Sequence, residues 1–272
     1  MTADPTWKGM PLDAETALAL LDWQREMGVD EAMLDDPVDR YAEPIRPPAP
    51  AAEPLPAQPA AVPPQAESVQ AVAQAQAMAA RARTLAELAE IQSGFEGLEI
   101  RRGARSFVFA DGQPGARVMI LGEAPGEEED RQGRPFVGRA GQLLDQMFDA
   151  IGLSRQAGDA ERAIYIANVL PWRPPGNRRP EQAEIDAMLP FVARHVALAA
   201  PDILVLMGNT PCKAALGRDG ILRLRGHWTE AFGRPALPMT HPAYLLRNPI
   251  AKREAWADLL SLAARLQAGS QP

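Results

Sequence analysis

Four short, almost continuously apolar segments do most to limit what this chain can fold into. They are RVMILG (117–122), AIYIANVL (163–170), DILVLMG (202–208) and RPALPMTHP (234–242). Segments with helical periodicity alternate with them, at 141–152, 181–199, 210–217 and 248–267. Buried strands that alternate with helices are typical of a parallel sheet covered on both faces. The sequence therefore predicts an α/β fold, a three-layer α/β/α sandwich around a four-stranded parallel sheet.

The N-terminal third differs from the rest of the chain in charge and composition. Residues 1–92 hold 15 acidic and 6 basic side chains, a net charge of −9, whereas the remainder holds 20 and 22, a net charge of +2. So small a positive charge does not by itself indicate nucleic-acid binding. The pattern predicts a helical, partly disordered N-terminal extension before the main domain. Its parts are an acidic helical segment (1–36), a Pro/Ala-rich linker (37–67) and a connecting helix (68–92), followed by the main domain (93–268).

The cellular setting is predicted from three features of the chain. Cys212 is the single cysteine, which excludes an intrachain disulfide framework and a cysteine-rich metal site. No apolar run approaches the roughly 20 residues that a bilayer crossing needs, and the acidic N-terminus does not resemble a secretion signal. We expect a cytoplasmic monomer, with residues 1–36 as the candidate docking segment for a protein partner.

Ligands of open parallel sheets bind beyond the carboxyl ends of the strands. In this chain those ends carry GEAPGEEED (122–130), NVLPWRPPGNRRP (168–180), GNTP (208–211) and HPAYLLR (241–247). The glycine-rich turn in GEAPG permits close backbone approach to a ligand. It is neither a P-loop nor a dinucleotide fingerprint, because it lacks the following Gly-Lys-Ser/Thr and the third glycine.

Three of these segments resemble the motifs of family-four uracil-DNA glycosylases. The first motif is matched by GEAPGEEEDRQGRPFVGRAGQLLD (122–145), the second by NVLPWRPPGNRRP and the third by HPAYLLR. The resemblance spans about residues 95–265, with the motifs in the family's order. It implies a DNA-repair hydrolase that flips uracil out of DNA and cleaves its N-glycosidic bond, leaving free uracil and an abasic site.

The resemblance assigns roles to three side chains in a base pocket. Phe136 matches the aromatic residue that stacks on the flipped base, and Asn168 matches the amide that pairs with uracil. An amide can accept from the ring N–H and donate to the carbonyl, whereas cytosine presents the opposite pattern. His241 matches the donor to the uracil carbonyl oxygen, which stabilises the negative charge on the departing base.

The glycine-rich turn supplies the carboxylate of the expected site. Glu123 is placed to orient water or to offset the positive charge that develops on the sugar, and the sequence leaves these two roles open. The neighbouring acidic run 127–130 is typical of a solvated face. Gly122 and Ala124 flank Glu123 as expected substrate-binding positions, and Asn177 matches a further motif residue that supports the loop or touches the substrate.

Two segments carry candidate DNA contacts. Arginines in the proline-rich loop after the second strand suit contacts to phosphate. The resemblance implies that the loop after His241 wedges apolar side chains into the space left by the flipped base. The candidates are Arg173, Arg178, Arg179, Tyr244, Leu245, Leu246 and Arg247.

The chain departs from the family at the iron–sulfur cluster. Family-four enzymes hold a four-iron cluster on four cysteines, and the resemblance places those cysteines at Phe95, Leu98, Trp172 and Met188. Because iron–sulfur clusters need thiolate ligands, the sequence predicts that the cluster is absent, with no metal in its place. We expect the four apolar side chains to meet in one hydrophobic cluster, with Trp172 at its centre.

Two alternatives to a uracil glycosylase remain at this point. One is a catalytically weak DNA-binding or scaffold protein whose N-terminal helix docks a partner. The other is a member of the same superfamily that acts on another deaminated base, such as hypoxanthine, or that forms a covalent DNA adduct. The adduct-forming branch would need a basic insertion with a histidine after the second strand, and PWRPPGNRRP contains none.

Overall fold

A computed structural model of the chain describes residues 64–269, together with Thr6, Trp7, Met10, Pro11, Asp13, Thr16 and Leu18. The chain divides into two compact units, residues 1–59 and 60–272. In the first unit, strand β1 (Thr6–Trp7) pairs antiparallel with strand β2 (Met10–Pro11). The expectations for residues 19–63, which include most of the predicted acidic helical segment and residues 37–63 of the predicted Pro/Ala-rich linker, lie outside the described residues. Residues 64–67 of that predicted linker belong to a helix instead.

The second unit alternates helices with strands. Its helices are α1 (Pro64–Arg81), α2 (Leu85–Ser93), α3 (Ile100–Gly103), α4 (Glu127–Gln132), α5 (Arg139–Asp149), α6 (Gln182–Ala199), α7 (Asn209–Leu216), α8 (Ile221–Leu224), α9 (Pro242–Arg247) and α10 (Lys252–Gly269). Its strands are β3 (Ala110–Gly112), β4 (Val118–Gly122), β5 (Ile164–Asn168), β6 (Ile203–Met207), β7 (Thr229–Ala231) and β8 (Arg234–Met239). None of the described helices combines the length and the hydropathy that a bilayer crossing requires.

The sheet has six strands in the order β3-β5-β4-β6-β8-β7. The four predicted strands form its parallel centre, β5-β4-β6-β8. The edge strands β3 and β7 pair antiparallel with β5 and β8 and were not predicted. Each is three residues long and only partly buried, so neither produces the apolar run by which the central strands are recognised.

Side chains that alternate along the strands divide the core into two halves, as the pleat of a strand requires. Met119 and Leu121 of β4 pack with residues of α1, α2, α6 and α7 on one face. Val118 and Ile120 pack with residues of α5, α9 and α10 on the other. Helices therefore cover both faces of the sheet, and the predicted three-layer α/β/α architecture is confirmed.

The segment predicted as one connecting helix over 68–92 forms two helices, α1 and α2, that pack on α6. Thr84 caps the second helix, because its side-chain oxygen accepts from the Glu87 N–H at 3.1 Å, so the predicted internal cap is confirmed. Ala75 and Leu88 are fully buried in the same hydrophobic cluster as α6. Both helices thus contribute to the core beside the sheet.

We expect a protein that starts at residue 60 to keep the thermal midpoint of the full chain, because every strand of the six-stranded sheet lies in the second unit. A chain that starts at residue 94 should melt at a lower temperature, since it lacks α1 and α2 and uncovers the apolar face of α6. Thermal unfolding followed by circular dichroism compares the three proteins. A lowered midpoint for the chain that starts at residue 60 would contradict the first expectation.

Candidate functional site

A cleft of about 590 Å³ opens at the carboxyl ends of β4, β5, β6 and β8, within the range of small-molecule sites. Loops that follow four different strands supply its walls. The predicted residues that line it are Glu123, Ala124, Phe136, Asn168, Asn177, Arg179, His241, Tyr244 and Arg247. The fold thus brings side chains from all three motifs to one place.

Gly122 lies beneath two of the key side chains. In the register of β4 and β5 it is directly opposite Asn168. A Cβ atom at this position would lie 2.4 Å from Asn168 Oδ1 and 2.5 Å from Cε2 of Phe136. Such distances are far below van der Waals contact, so any larger residue would displace the amide or the ring. The first glycine of GEAPG is therefore required by the close approach of Asn168 and Phe136.

Asn168 ends β5 with its side chain directed into the cleft. The residue is 8% exposed, and its Oδ1 is the buried side-chain polar atom that lacks a hydrogen-bond partner among the described residues. Leaving a buried acceptor unpaired costs about 1–3 kcal/mol, and such atoms are rare in native structures. A ligand that brings an N–H donor to this oxygen would recover that free energy.

Phe136 has a backbone φ of 53°, in the left-handed region that is unusual for a bulky residue. Hydrogen bonds hold this turn on both sides. Arg155 donates to the carbonyl oxygens of Pro135 (2.9 Å) and Phe136 (2.8 Å). Glu129 Oε1 accepts from the next two backbone N–H groups, at 2.9 Å each. The hydrogen bonds from Arg155 and to Glu129 therefore hold the backbone at Phe136, and with it the aromatic ring, in one conformation.

Helix α5 packs closely against the turn at Phe136. A Cβ atom on Gly141 would lie only 1.8 Å from the Phe136 carbonyl oxygen, so the helix can approach this closely because residue 141 is a glycine. The buried Arg155 also pairs with Asp111 (2.9 Å) and Asp145 (2.8 Å). Arg155 was not predicted from the sequence, because it lies outside the three motifs and its partners come from distant segments.

The acidic run 127–130 was expected to be a solvated face, and the structure corrects half of that expectation. Glu127 and Glu128 are exposed, but Glu129 turns inward to the Phe136 loop and Asp130 is buried. Asp130 Oδ1 accepts from the backbone N–H groups of Arg105 and Ser106 at 2.9 Å. The inner pair is held by its acceptor role, because Glu129 binds backbone N–H groups of the Phe136 loop and Asp130 binds those before β3.

Glu123 accepts a hydrogen bond from the hydroxyl of Thr210, with 2.5 Å between Oε2 and Oγ1. Thr210 is buried in the first turn of α7, directly after β6. The bond restricts one carboxylate oxygen and sets the orientation of the other. GNTP (208–211) carried no functional expectation in the sequence, and its position at a strand end was the signal that could have identified Thr210.

His241 caps helix α9, and its ring is held in one protonation state. Nδ1 accepts from the Ala243 N–H at 3.1 Å, so the proton of the neutral ring is on Nε2. Burial and, to a smaller extent, the charge of Arg247 lower the pKa of His241 to about 4, and Glu129 opposes the shift. The ring also packs on Phe136, with 5.4 Å between the centroids. The site therefore offers a neutral N–H donor beside the aromatic ring.

The family model of the uracil DNA glycosylase superfamily matches residues 109–260, which include all of these groups. The chain belongs to this superfamily. It is 38% identical to the type-4 uracil-DNA glycosylase of Thermotoga maritima over 144 residues, 52% of this chain and 72% of the relative. The type-4 enzyme of Pyrobaculum aerophilum is 35% identical over 170 residues, 57% and 81% of the two chains. That of Archaeoglobus fulgidus is 31% identical over 169 residues, 59% and 82% of the two chains.

The candidate DNA-contact arginines of this superfamily member fall into two groups. Arg173 and Arg178 are already engaged: Arg173 Nε donates to Asn177 Oδ1 at 2.7 Å, and Arg178 forms a two-pronged ion pair with Glu184. Arg179 and Arg247 line the cleft, and neither forms an ion pair with a carboxylate in the described part of the chain. The second pair therefore has its charge available to a ligand.

The two leucines of the α9 loop lie in different environments. Leu245 is 1% exposed and packs in the hydrophobic cluster beneath α5 and α10, whereas Leu246 is 37% exposed. A side chain that is buried in the core cannot enter DNA while α9 remains folded. We therefore retain Leu246, and not Leu245, as the candidate wedge, beside Tyr244 in the cleft wall.

The four positions at which the resemblance places the cluster cysteines are all buried in the hydrophobic cluster that the sheet forms with α1, α2, α6 and α7. The ring of Phe95 packs edge-on against Phe191, with 5.4 Å between centroids, and Trp172 lies 5.5 Å from Phe107. Within the described residues, no group of three or more His, Cys, Asp or Glu side chains could hold a metal ion. These residues do not fit an iron–sulfur cluster, because none of them can supply a thiolate.

The environment of His241 predicts a proton titration far from the ordinary value of 6.5. Long-range ¹H–¹⁵N spectra should show a neutral ring with the proton on Nε2 from pH 8 down to about pH 5, and protonation around a pKa of about 4. Because the folded-state pKa lies below that of the unfolded chain, the associated stability is present above pH 6.5 and is lost as the pH falls towards 4. His241→Gln identifies the signal. A transition between pH 6 and 7 would contradict the prediction.

Proposed function

We propose that this protein is a monofunctional uracil-DNA glycosylase that flips uracil out of DNA and hydrolyses its N-glycosidic bond. The unpartnered acceptor Asn168 Oδ1 is the observation that carries the proposal. Uracil presents a ring N–H next to a carbonyl oxygen, and the Asn168 amide can accept from the first and donate to the second. Cytosine presents an acceptor and a donor at these positions, so it would leave both amide groups unpaired.

Phe136 offers a preformed stacking surface beside Asn168. The ring of Phe136 lies over Gly122 next to Asn168, where it can stack on the face of a flipped base while the amide reads its edge. Because the turn at Phe136 is fixed by Arg155 and Glu129, the stacking surface exists before the base arrives. Preorganisation of this kind lowers the free-energy cost of ordering the site when the base binds.

The bond that breaks joins the base to the sugar, and the electron pair leaves with uracil. The Nε2–H of His241 donates to the uracil carbonyl oxygen on which negative charge develops. A neutral donor suits this task, because it strengthens the hydrogen bond as charge builds up without having to transfer its proton. Water then adds to the sugar carbon and gives up one proton, which neutralises the uracil anion directly or through solvent. Glu123 orients this water or offsets the positive charge on the sugar.

Cleavage stops at the abasic site in this mechanism. A glycosylase that also nicks the strand needs an amine nucleophile to form a Schiff base with the sugar. No lysine is found among the residues that line the cleft in the described part of the chain. We further propose that the protein acts as a cytoplasmic monomer and that residues 1–36 bind a protein partner.

Purified protein should release free uracil from uracil-containing oligonucleotides in the presence of EDTA and leave an alkali-labile site. Asn168→Asp should lower the single-turnover rate by about tenfold to a hundredfold, the cost of about 1–3 kcal/mol for an unpaired buried group, and should narrow the preference for uracil over cytosine. Gln156→Glu, the same exchange of an amide for a carboxylate at an exposed residue outside the cleft lining, is the matched control. Oligonucleotides with cytosine, thymine and hypoxanthine complete the assay.

The outcomes of this assay separate the proposal from its alternatives. No base release from any oligonucleotide would favour a DNA-binding or scaffold protein. Release of hypoxanthine in preference to uracil would assign the site to another deaminated base. Turnover that depends on added metal would contradict the mechanism, and normal rates with Asn168→Asp would remove this residue from it.

We also propose that this protein works without the iron–sulfur cluster of its relatives. In place of the cluster, the buried apolar side chains at the four expected ligand positions would hold two parts of the chain together. These parts are the segment before β3 and the loop and helix after β5. Phe95 and Leu98 come from the first of these segments, and Trp172 and Met188 from the second. Fully burying such side chains stabilises by roughly 1.5–3 kcal/mol each.

The purified protein should therefore be colourless, with no visible iron–sulfur absorbance and no bound iron. Trp172→Ala should lower the free energy of unfolding by about 3–5 kcal/mol, the range for truncating a buried tryptophan. Trp256→Ala, which removes a tryptophan that is 44% exposed, should cost much less. Denaturant unfolding measures both variants. A brown protein, or equal effects of the two substitutions, would contradict the proposal.

A further inference from the structure

A second depression, of about 540 Å³, lies where α7 ends and α8 begins. Its lining includes three cations, Lys213, Arg218 and Arg223, and one carboxylate, Asp219. None of the three cations forms an ion pair in the described part of the chain. Elsewhere in the domain, arginines such as Arg225 are neutralised by close carboxylates. The depression therefore keeps an uncompensated positive charge.

This depression adjoins the cleft of the candidate site. Asn209 Oδ1 accepts from the backbone N–H groups of Gly220 (3.1 Å) and Ile221 (2.7 Å), and both Asn209 and Ile221 line the cleft. The guanidinium of Arg223 packs over Gly220, 3.0 Å from the position of a Cβ atom there. The cations thus begin next to the residues that form one wall of the cleft.

Two further cations line the cleft from other strand ends. Arg179 and Arg247 line the cleft from the loops after β5 and β8, whereas the new cations approach from the side of α7 and α8. A flipped nucleotide in the cleft is joined on each side to a strand that carries one phosphate per nucleotide. Cations that follow β5, β6 and β8 would therefore offer several contacts to the phosphates next to that nucleotide. This local arrangement matters because the whole chain has a net charge of −7.

We propose that Lys213, Arg218 and Arg223 form a second DNA-contact surface, the α7–α8 cation surface, which binds the phosphate backbone beside the flipped nucleotide. The inference rests on the proposed function only in taking DNA as the substrate. The three cations contact phosphates and not bases, so they contribute affinity without sequence preference. The surface does not belong to the three sequence motifs, and the residues after the third strand carried no DNA-binding expectation.

The test measures binding of undamaged duplex DNA by fluorescence anisotropy over a series of salt concentrations. The triple variant Lys213→Ala, Arg218→Ala, Arg223→Ala should bind more weakly at low salt. Its plot of log K against log salt should be less steep by about 2.7, since each lost phosphate contact removes about 0.9 from the slope. A slope equal to that of the unaltered protein would overturn the proposal.

A matched control removes the same charge from another part of the domain. Arg81 and Arg83 flank Ala82, whose carbonyl oxygen accepts a hydrogen bond from Arg194 of α6. Arg234 is the first residue of β8, at the amino end of the strand, whereas the cleft opens at the carboxyl ends. Replacing these three arginines with alanine should leave the slope unchanged. An equal change in both triple variants would overturn the proposal by showing an effect of net charge alone. An unchanged thermal midpoint shows that each triple variant is folded. If the triple variant of the cation surface unfolds, Arg223→Ala alone replaces it in the test, with an expected slope change of about 0.9.

Two further measurements distinguish a surface for the DNA backbone from a small-anion site and from a part of the catalytic cleft. Inorganic phosphate at constant ionic strength should not displace duplex DNA, and displacement would overturn the proposal by assigning the depression to a small anion. On uracil-containing duplex, the triple variant should keep the maximal single-turnover rate and need more enzyme for half-maximal rate. If the unaltered protein releases no uracil, the proposed function fails, while the salt dependence on undamaged DNA still decides the role of the α7–α8 cation surface.

Discussion

The parallel pairing of β4 with β5 is the constraint on which the rest of the site depends. It sets Gly122 opposite Asn168, and the absence of a side chain at Gly122 leaves room for both the amide and the Phe136 ring. A shift of register by one residue would turn Asn168 towards the opposite face of the sheet. The same packing that buries the strands therefore also sets the distance between the group that reads a base and the group that stacks on it.

Several polar groups around the cleft are bound by the protein, whereas one buried side-chain acceptor among the described residues is not. Glu129 and Arg155 bind the backbone around Phe136, and the backbone of α9 binds the ring of His241. These bonds use up the groups that could otherwise compete for a ligand or move the ring. Asn168 Oδ1 stays without a protein partner, and this unpaired acceptor is what gives the cleft its preference for a ligand with an N–H donor.

Much of the fold and of the pocket could be predicted from the sequence, because the signals are local. Continuous apolar runs identified the central strands, since each such strand is covered on both faces. The three motifs identified Phe136, Asn168 and His241. These residues share one cleft because the carboxyl ends of parallel strands meet at one edge of the sheet. The misfit with an iron–sulfur cluster also follows from composition, since a chain whose one cysteine is Cys212 lacks the thiolates.

The tertiary structure alone decided which side chains face a ligand and which face the protein. Leu245 and Leu246 are neighbours in one motif, yet Leu245 is buried in the core and Leu246 is exposed at the surface. Thr210 meets Glu123 across 87 residues of sequence, and the partners of Arg155 come from three separate segments. Sequence patterns report the periodicity of single elements. Contacts of this kind depend on how elements pack against one another, so they are determined only when the sheet and its two helical layers are assembled.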